Sequence, residues 1–178
     1  MAVWNVIGHT ELSGNATSIE FTSISGSYDH LCLKASLRFD SSGQYMQYGK
    51  LQLGNGSADT GSNYSVTTLE AQSTTPLSGR STGDTWMDLW PITGPSSLAD
   101  SFSSAAMWIP NYANTSNYKQ VLIKNVSENN STSSNQWSVG VFAGMWSSTS
   151  AVDVVKIQPW ADNLIQYSTV TLSGINGV

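Results

Sequence analysis

Charge is scarce in this sequence: seven Lys and Arg and twelve Asp and Glu make up 11% of 178 residues. With a formal net charge of −5 and no basic run to neutralise phosphates, nucleic-acid binding and anionic-membrane binding are disfavoured. The single cysteine, Cys32, has no partner for an internal disulfide. Its place in the strand-like run Leu31-Cys32-Leu33 predicts a small buried core residue. Long apolar runs are missing as well, and no window approaches the ~18 residues of a membrane span. Met1-Ala2-Val3-Trp4 opens straight into apolar alternation, without the basic start and apolar stretch of a signal peptide. Synthesis and retention in a cytoplasm until assembly is therefore expected. Helical periodicity is hard to find anywhere.

Ser and Thr, by contrast, number 46, so solubility comes from hydroxyls and amides more than from ions. Seven Asn-x-Ser/Thr sequons begin at Asn15, Asn55, Asn63, Asn114, Asn125, Asn129 and Asn130, read here as a by-product of that richness. A chain this long buries about 70% of its unfolded surface, so one domain over residues 1–178 needs no staple. Neither a repeat nor a linker divides it.

Period-two alternation recurs from end to end. The clearest strand is 29–39, where Leu31, Leu33, Ala35, Leu37 and Phe39 face one way and His30, Cys32, Lys34, Ser36 and Arg38 the other. Residues 44–53 are predicted as its hairpin partner across the turn Asp40-Ser41-Ser42-Gly43. Asn55-Gly56 marks the next turn. Further strands are expected at 4–7, 18–24, 64–70, 105–109, 118–128, 136–146, 151–158 and 164–172. Between them 73–84, 93–104 and 127–135, rich in Ser, Thr, Asn, Gly and Pro, read as long surface loops, with a weak helical alternative at 96–106. About ten strands joined by polar loops predict an all-β, antiparallel β-sandwich of jelly-roll type, with an up-and-down barrel as the alternative.

Convergent ionisable groups, which an enzyme needs, are few. His9 and His30 stand in no metal-ligand spacing. Asp84, Asp88, Asp100, Asp153 and Asp162 read as solvated loop acids, not as a glycosidase pair. There is no Gly-x-Ser-x-Gly elbow. Asn55 through Asn63 has the oxygen-rich look of a calcium loop but lacks the terminal Glu and regular acid spacing, so turn chemistry explains it better. No catalytic residue, metal or cofactor is expected, and the chain is read as a non-enzyme.

The seven tryptophans and seven tyrosines are more informative. Trp4, Trp137 and Trp146 alternate within strands and are expected in the core or on a sheet face. Trp86, Trp90, Trp108 and Tyr112 flank polar loops, where aromatics serve sugar stacking or the heart of a protein interface. The apolar run Trp86-Met87-Asp88-Leu89-Trp90-Pro91-Ile92 either threads into the core or docks on another subunit. Trp86, Trp90, Ile92, Trp108 and Tyr112 are thus the candidate interface.

The segment Tyr28-Asp29-His30-Leu31-Cys32-Leu33-Lys34-Ala35-Ser36-Leu37-Arg38, preceded by Ser23-Ile24, resembles a module of tailed-phage virion proteins, which opens Ser-Ile-x-x-x-Tyr-x-His-Leu and ends on an Arg. Asn55-Gly56, Asn63-Tyr64-Ser65 and the closing Ser168-x-x-x-Leu172-x-Gly174-Ile175 are similar to later parts of the same proteins, although Ser173 stands where an aromatic is usual. The resemblance spans most of the chain as scattered motifs. It implies a virion structural component with a β-sandwich fold and transfers no catalytic residue. Fibres and spikes usually have an N-terminal anchor and a stalk, whereas this chain starts its first strand within four residues of Met1. A capsid decoration or cement protein is therefore expected, a homotrimer seated on the major capsid protein in the virion. The alternative is a tail fibre or tail-associated receptor- or carbohydrate-binding protein.

Overall fold

A strand whose alternate side chains are apolar gains its stability when that face is covered, and here two sheets cover each other. The computed structural model describes residues 3–130 and 136–176. Among the described residues thirteen strands run β1 (Val3–Glu11), β2 (Ile19–Phe21), β3 (His30–Leu37), β4 (Met46–Asn55), β5 (Ser57–Ala58), β6 (Tyr64–Gln72), β7 (Thr75–Asp84), β8 (Met87–Thr93), β9 (Ser103–Pro110), β10 (Lys119–Ser127), β11 (Ser138–Trp146), β12 (Val154–Pro159) and β13 (Thr169–Asn176). No helix occurs among the described residues, so the helical alternative at 96–106 falls away. Eight strands form one sheet in the order β1-β13-β3-β9-β10-β11-β6-β7. The other sheet runs β2-β12-β4-β5, with β8 also paired to β4. The protein is an antiparallel β-sandwich; no jelly-roll assignment follows from this strand order.

One apolar cluster fills the space between the sheets. Leu31, Leu33 and Leu37 of β3, Met107 and Ile109 of β9, Ile123 of β10 and Phe142 of β11 meet Leu51 and Leu53 of β4, Met87, Leu89 and Ile92 of β8 and Ile157 of β12. The expected hairpin of 29–39 with 44–53 does not form. β3 pairs with β13 and β9, while β4 lies in the opposite sheet against β12 and β8. Facing leucines across the core satisfy the same alternation that a hairpin would, and the segment after Phe39 crosses between sheets.

The stretch 73–84, expected as a loop, is strand β7. It has no apolar alternation because it is an edge strand, exposed along most of its length. Its register with β6 holds it instead of burial. Between β8 and β9, the loop expected around 93–104 narrows to residues 94–102. Arg38, at the Arg-bearing end of the virion-like segment, pins it. Its buried guanidinium donates to the carbonyls of Leu98 at 3.0 Å and Ser101 at 2.6 Å. The expected loop 127–135 lies partly outside the described residues.

Two of the motif segments meet. Asp29 donates its N–H to Ile175 O at 3.0 Å, and the Tyr28 ring occupies the space a Cβ on Gly174 would fill. At the Asn55-Gly56 turn, Gly56 takes φ +77° and donates to Asp153 Oδ1 at 2.7 Å. The side chains of Asn125 and Asn129 are buried in the folded chain, out of reach of a glycosylating enzyme.

Candidate functional site

Antiparallel sheets that cover a core on one face usually present polar residues on the other. The eight-stranded sheet does not. Outward positions of its central strands carry Leu122 and Val126 on β10, Val139 and Val141 on β11 and Leu69 on β6, all exposed. Cross-strand pairing makes them neighbours: Val126 opposes Val139, Val141 opposes Leu69, and Leu122 opposes Ala143. At the far edge Val6 and Trp4 on β1 are exposed too, at 68% and 53%. The exposed apolar side chains of β6, β10 and β11, grouped around Lys124, make this face the candidate contact surface.

Between the apolar strands and β1 the face dips. Small outward residues on β3, β9 and β13, among them Ser36, Ser104, Ala106 and Thr171, floor a trough of about 480 Å³. Beside it a second hollow of about 410 Å³ is lined by Cys32, Ala106, Trp108 and Leu122. Lys34 and Lys124 rise from the trough, and the Lys34 ammonium lies 5.6 Å from the Trp4 ring centroid. His30 packs against Trp108 with ring centroids 5.2 Å apart. His9 Nδ1 and Thr171 Oγ1 are 2.8 Å apart, closing the polar rim. Cys32 is buried, as expected, but in the floor of this outer hollow and not in the core between the sheets; burial pushes its thiol pKa up, against the opposing pull of the Lys34 charge.

The candidate interface read from the sequence disperses. Ile92 and Tyr112 are fully buried and offer no surface to a partner. Ile92 is a core residue of β8, and the Tyr112 hydroxyl donates to Ser25 O and accepts from the Tyr28 N–H. Trp108 is half-buried on the apolar face, and Trp86 is half-buried on the other sheet. The side chain of Trp90 lies outside the described residues, although its backbone belongs to β8. Sequence reasoning missed Leu69, Leu122, Val126, Val139 and Val141. The available signal was that β10 and β11 carry apolar residues at both odd and even positions, the pattern of a strand with two covered faces.

Elsewhere the ionisable groups serve the scaffold. Asp59, in the calcium-like loop, accepts from Gly61 N–H at 2.7 Å, Asn63 Nδ2 at 2.8 Å and Trp146 Nε1 at 2.7 Å. Burial alone would raise its carboxyl pKa; these three donors outweigh that and hold it below the usual range. Its oxygens are spent on the turn. The buried Lys119 ammonium donates to Asn117 O and Thr149 O, and burial lowers its pKa. Among the described residues, no three His, Cys, Asp or Glu side chains come together to hold a metal ion. No family model, no curated protein and no solved structure matches the chain.

Proposed function

We propose that this chain is a non-enzymatic structural subunit of a tailed-phage particle, a capsid-decorating protein whose outer eight-stranded face meets a neighbouring copy in a trimer. The observation that carries the reading is the contiguous apolar patch of Leu69, Leu122, Val126, Val139 and Val141. The whole face that carries this patch is large enough. Eight strands about 4.8 Å apart and about eight residues long, at roughly 3.3 Å each, give a face of roughly 1,000 Å². A stable interface takes about 800 Å² from each partner.

Charge selects the occupant. Lys34, Arg80 and Lys124 stand on outward positions of this sheet, while the whole chain carries −5. Two copies joined face to face would oppose their own lysines. A contact of this face with a different flank of the next copy avoids that conflict; it is heterologous, and at the right angle it closes into a ring. The phage assignment rests on the virion-like segments around 23–38, 55–65 and 168–175 and on the few ions such a shell contact would desolvate.

Light scattering on the purified chain tests the assembly, with an expected mass three times 19.1 kDa. Addition of phage capsids tests the second half: the trimer sediments with particles containing the major capsid protein. A monomer at about 100 μM, far above the Kd of a stable interface, that also stays in the supernatant would reject the proposal.

A further inference from the structure

On the other side of the molecule, where the mouth between the sheets opens beneath the edge strand β7, lies a cleft of about 230 Å³ lined by Tyr48, Val66, Thr68, Gly79, Arg80, Ser81 and Asp88. From this cleft we infer that the protein binds an uncharged sugar ring, a role that goes beyond assembly. Three features converge. First, hydroxyls wait there: Ser81 Oγ is buried and has no hydrogen-bond partner, and Thr68 Oγ1 stands beside Gly79, where an added Cβ would come within 3.2 Å of it. A buried hydroxyl without a partner is costly unless a ligand or water supplies one.

Second, an aromatic corner adjoins the cleft and is tied to it by two of its lining residues. Asp88 Oδ1 accepts from Trp86 Nε1 at 3.1 Å, and Tyr48 O accepts from the Trp160 N–H at 3.1 Å. The two indoles meet edge-on, centroids 5.3 Å apart at 88°, and Trp160 stays half exposed. The apolar C–H face of a pyranose stacks on such a ring while its hydroxyls turn to the polar wall.

Third, the electrostatics refuse an anion. Asp88 lines the cleft, and Asp84 is close enough to act on it. Glu70 accepts from the Tyr48 hydroxyl just behind. Arg80 is the one cation among the lining residues, and Lys50 is committed to the indoles, its ammonium 4.2 Å from the Trp86 centroid and 4.8 Å from that of Trp160. Phosphorylated or carboxylated ligands would meet Asp88, Asp84 and Glu70 with Arg80 alone to offset them, whereas neutral hydroxyls find donors and acceptors. The volume lies below the ~300–1,000 Å³ of drug-sized sites, so it takes one ring at a chain end or a single glycoside.

The test is tryptophan fluorescence and saturation-transfer NMR on the full chain with the methyl glycosides of glucose, galactose, mannose and N-acetylglucosamine. Affinity electrophoresis in gels holding dextran, galactan or mannan then separates recognition of a polymer end from recognition of a free sugar. At least one glycoside is expected to saturate, with binding weakened at least about tenfold in Trp160→Ala and in Ser81→Val. Trp4→Ala, on the opposite face, binds as the parent does. Trp160 is half exposed and Ser81 belongs to the edge strand β7, outside the apolar core, and circular dichroism checks that each variant is folded. Failure of all four glycosides to saturate, or parental affinity in folded Trp160→Ala, overturns the inference while leaving the trimer measurement untouched.

Discussion

The two outer faces of the sandwich are built from strands of similar alternation and arrive at opposite surfaces. Outside the five-stranded sheet, unlike charges sit directly opposite: Glu20 on β2 faces Lys156 on β12, and Lys50 on β4 faces Asp88 on β8, with Gln158 between. Each pair is worth a few tenths to one kcal/mol, and the face is content in water. Outside the eight-stranded sheet, β6, β10 and β11 present Leu, Val and Ala around Lys124, and the neighbouring trough adds Ser, Thr and Lys34. Exposure of that area costs solubility and brings the monomer no stability. Its chemistry is the reason the proposed trimer contact is placed there, and the lesson is that surface composition, face by face, separates residues that hold the fold from residues the fold leaves unpartnered.

The comparison breaks most visibly if a charge is placed on each face. Val141→Lys with Leu122→Lys would bury two unpaired ammonium groups in the subunit contact, at a cost of several kcal/mol. The expected result is a folded monomer, read as a threefold fall in scattering mass. Glu20→Lys, on the polar face, leaves the mass of the trimer unchanged. Equal effects from both would mean that the apolar face is not the contact.

A smaller effect is expected where the polar side reaches inward. Glu70 is buried on β6 and accepts from the Tyr48 hydroxyl and from Ser138 Oγ at 3.4 Å. Burial, then the Glu70 bond and charge, push the Tyr48 phenol far above its ordinary pKa, so it stays a donor at any working pH. Glu70→Leu strands that hydroxyl and should cost about 1–3 kcal/mol in urea unfolding. Restoring the balance with Tyr48→Phe in the same chain should recover part of the loss. Additive losses in the double variant would show that the two groups act separately.

Acid sharpens the contrast further. Asp59 and Asp40 both have carboxyls held below the usual range. At Asp40 burial works in the opposite direction and is outweighed by the backbone and side chain of Asn163 and by Asn15. A carboxyl with its folded pKa below its unfolded value of about 3.9 binds fewer protons folded than unfolded. The stability it contributes is present above that pH and disappears as the pH falls through the folded value. Asp88 runs the other way, since burial raises it and protonation relieves it. Urea midpoints should therefore fall between pH 5 and pH 2 in the parent and fall less in Asp59→Asn, which has already lost its share at pH 7. An identical acid slope in both would remove Asp59 from the account.

Much of the fold could be read in the sequence, and the proposed contact face was hidden there for a physical reason. Strands such as β3, β10 and β11 announce themselves because a buried face imposes period two on Leu31, Leu33 and Leu37 or on Val121 and Ile123. Strand β7 does not, because Thr75 through Asp84 buries neither face and carries turn-like Gly and Pro. Sheet membership is equally silent, since β3 and β4 present the same leucines whether they pair or face each other. Attention to aromatics drew the candidate site toward Ile92 and Tyr112, which the core had already taken. Plain valines and leucines at outward positions carried the signal, and they are visible as outward only once register is known.

The smallest effect concerns Lys50, and it separates fold from function on the polar face. Its ammonium lies over two indoles and opposite Asp88, an arrangement worth about 0.5–1 kcal/mol at a partly exposed site. Lys50→Met keeps the stem that covers the rings and removes the charge, so unfolding should shift by less than about 1 kcal/mol while assembly is unaffected. Removing the cation also takes away the one nearby charge that favours an ionised Asp88, so its carboxyl should rise further. NMR titration of the Asp88 carboxyl in parent and variant reads that shift directly. A carboxyl that titrates at the same pH in both would mean the ammonium is spent entirely on the rings, and the polar face would then be held by packing of Trp86 and Trp160 alone.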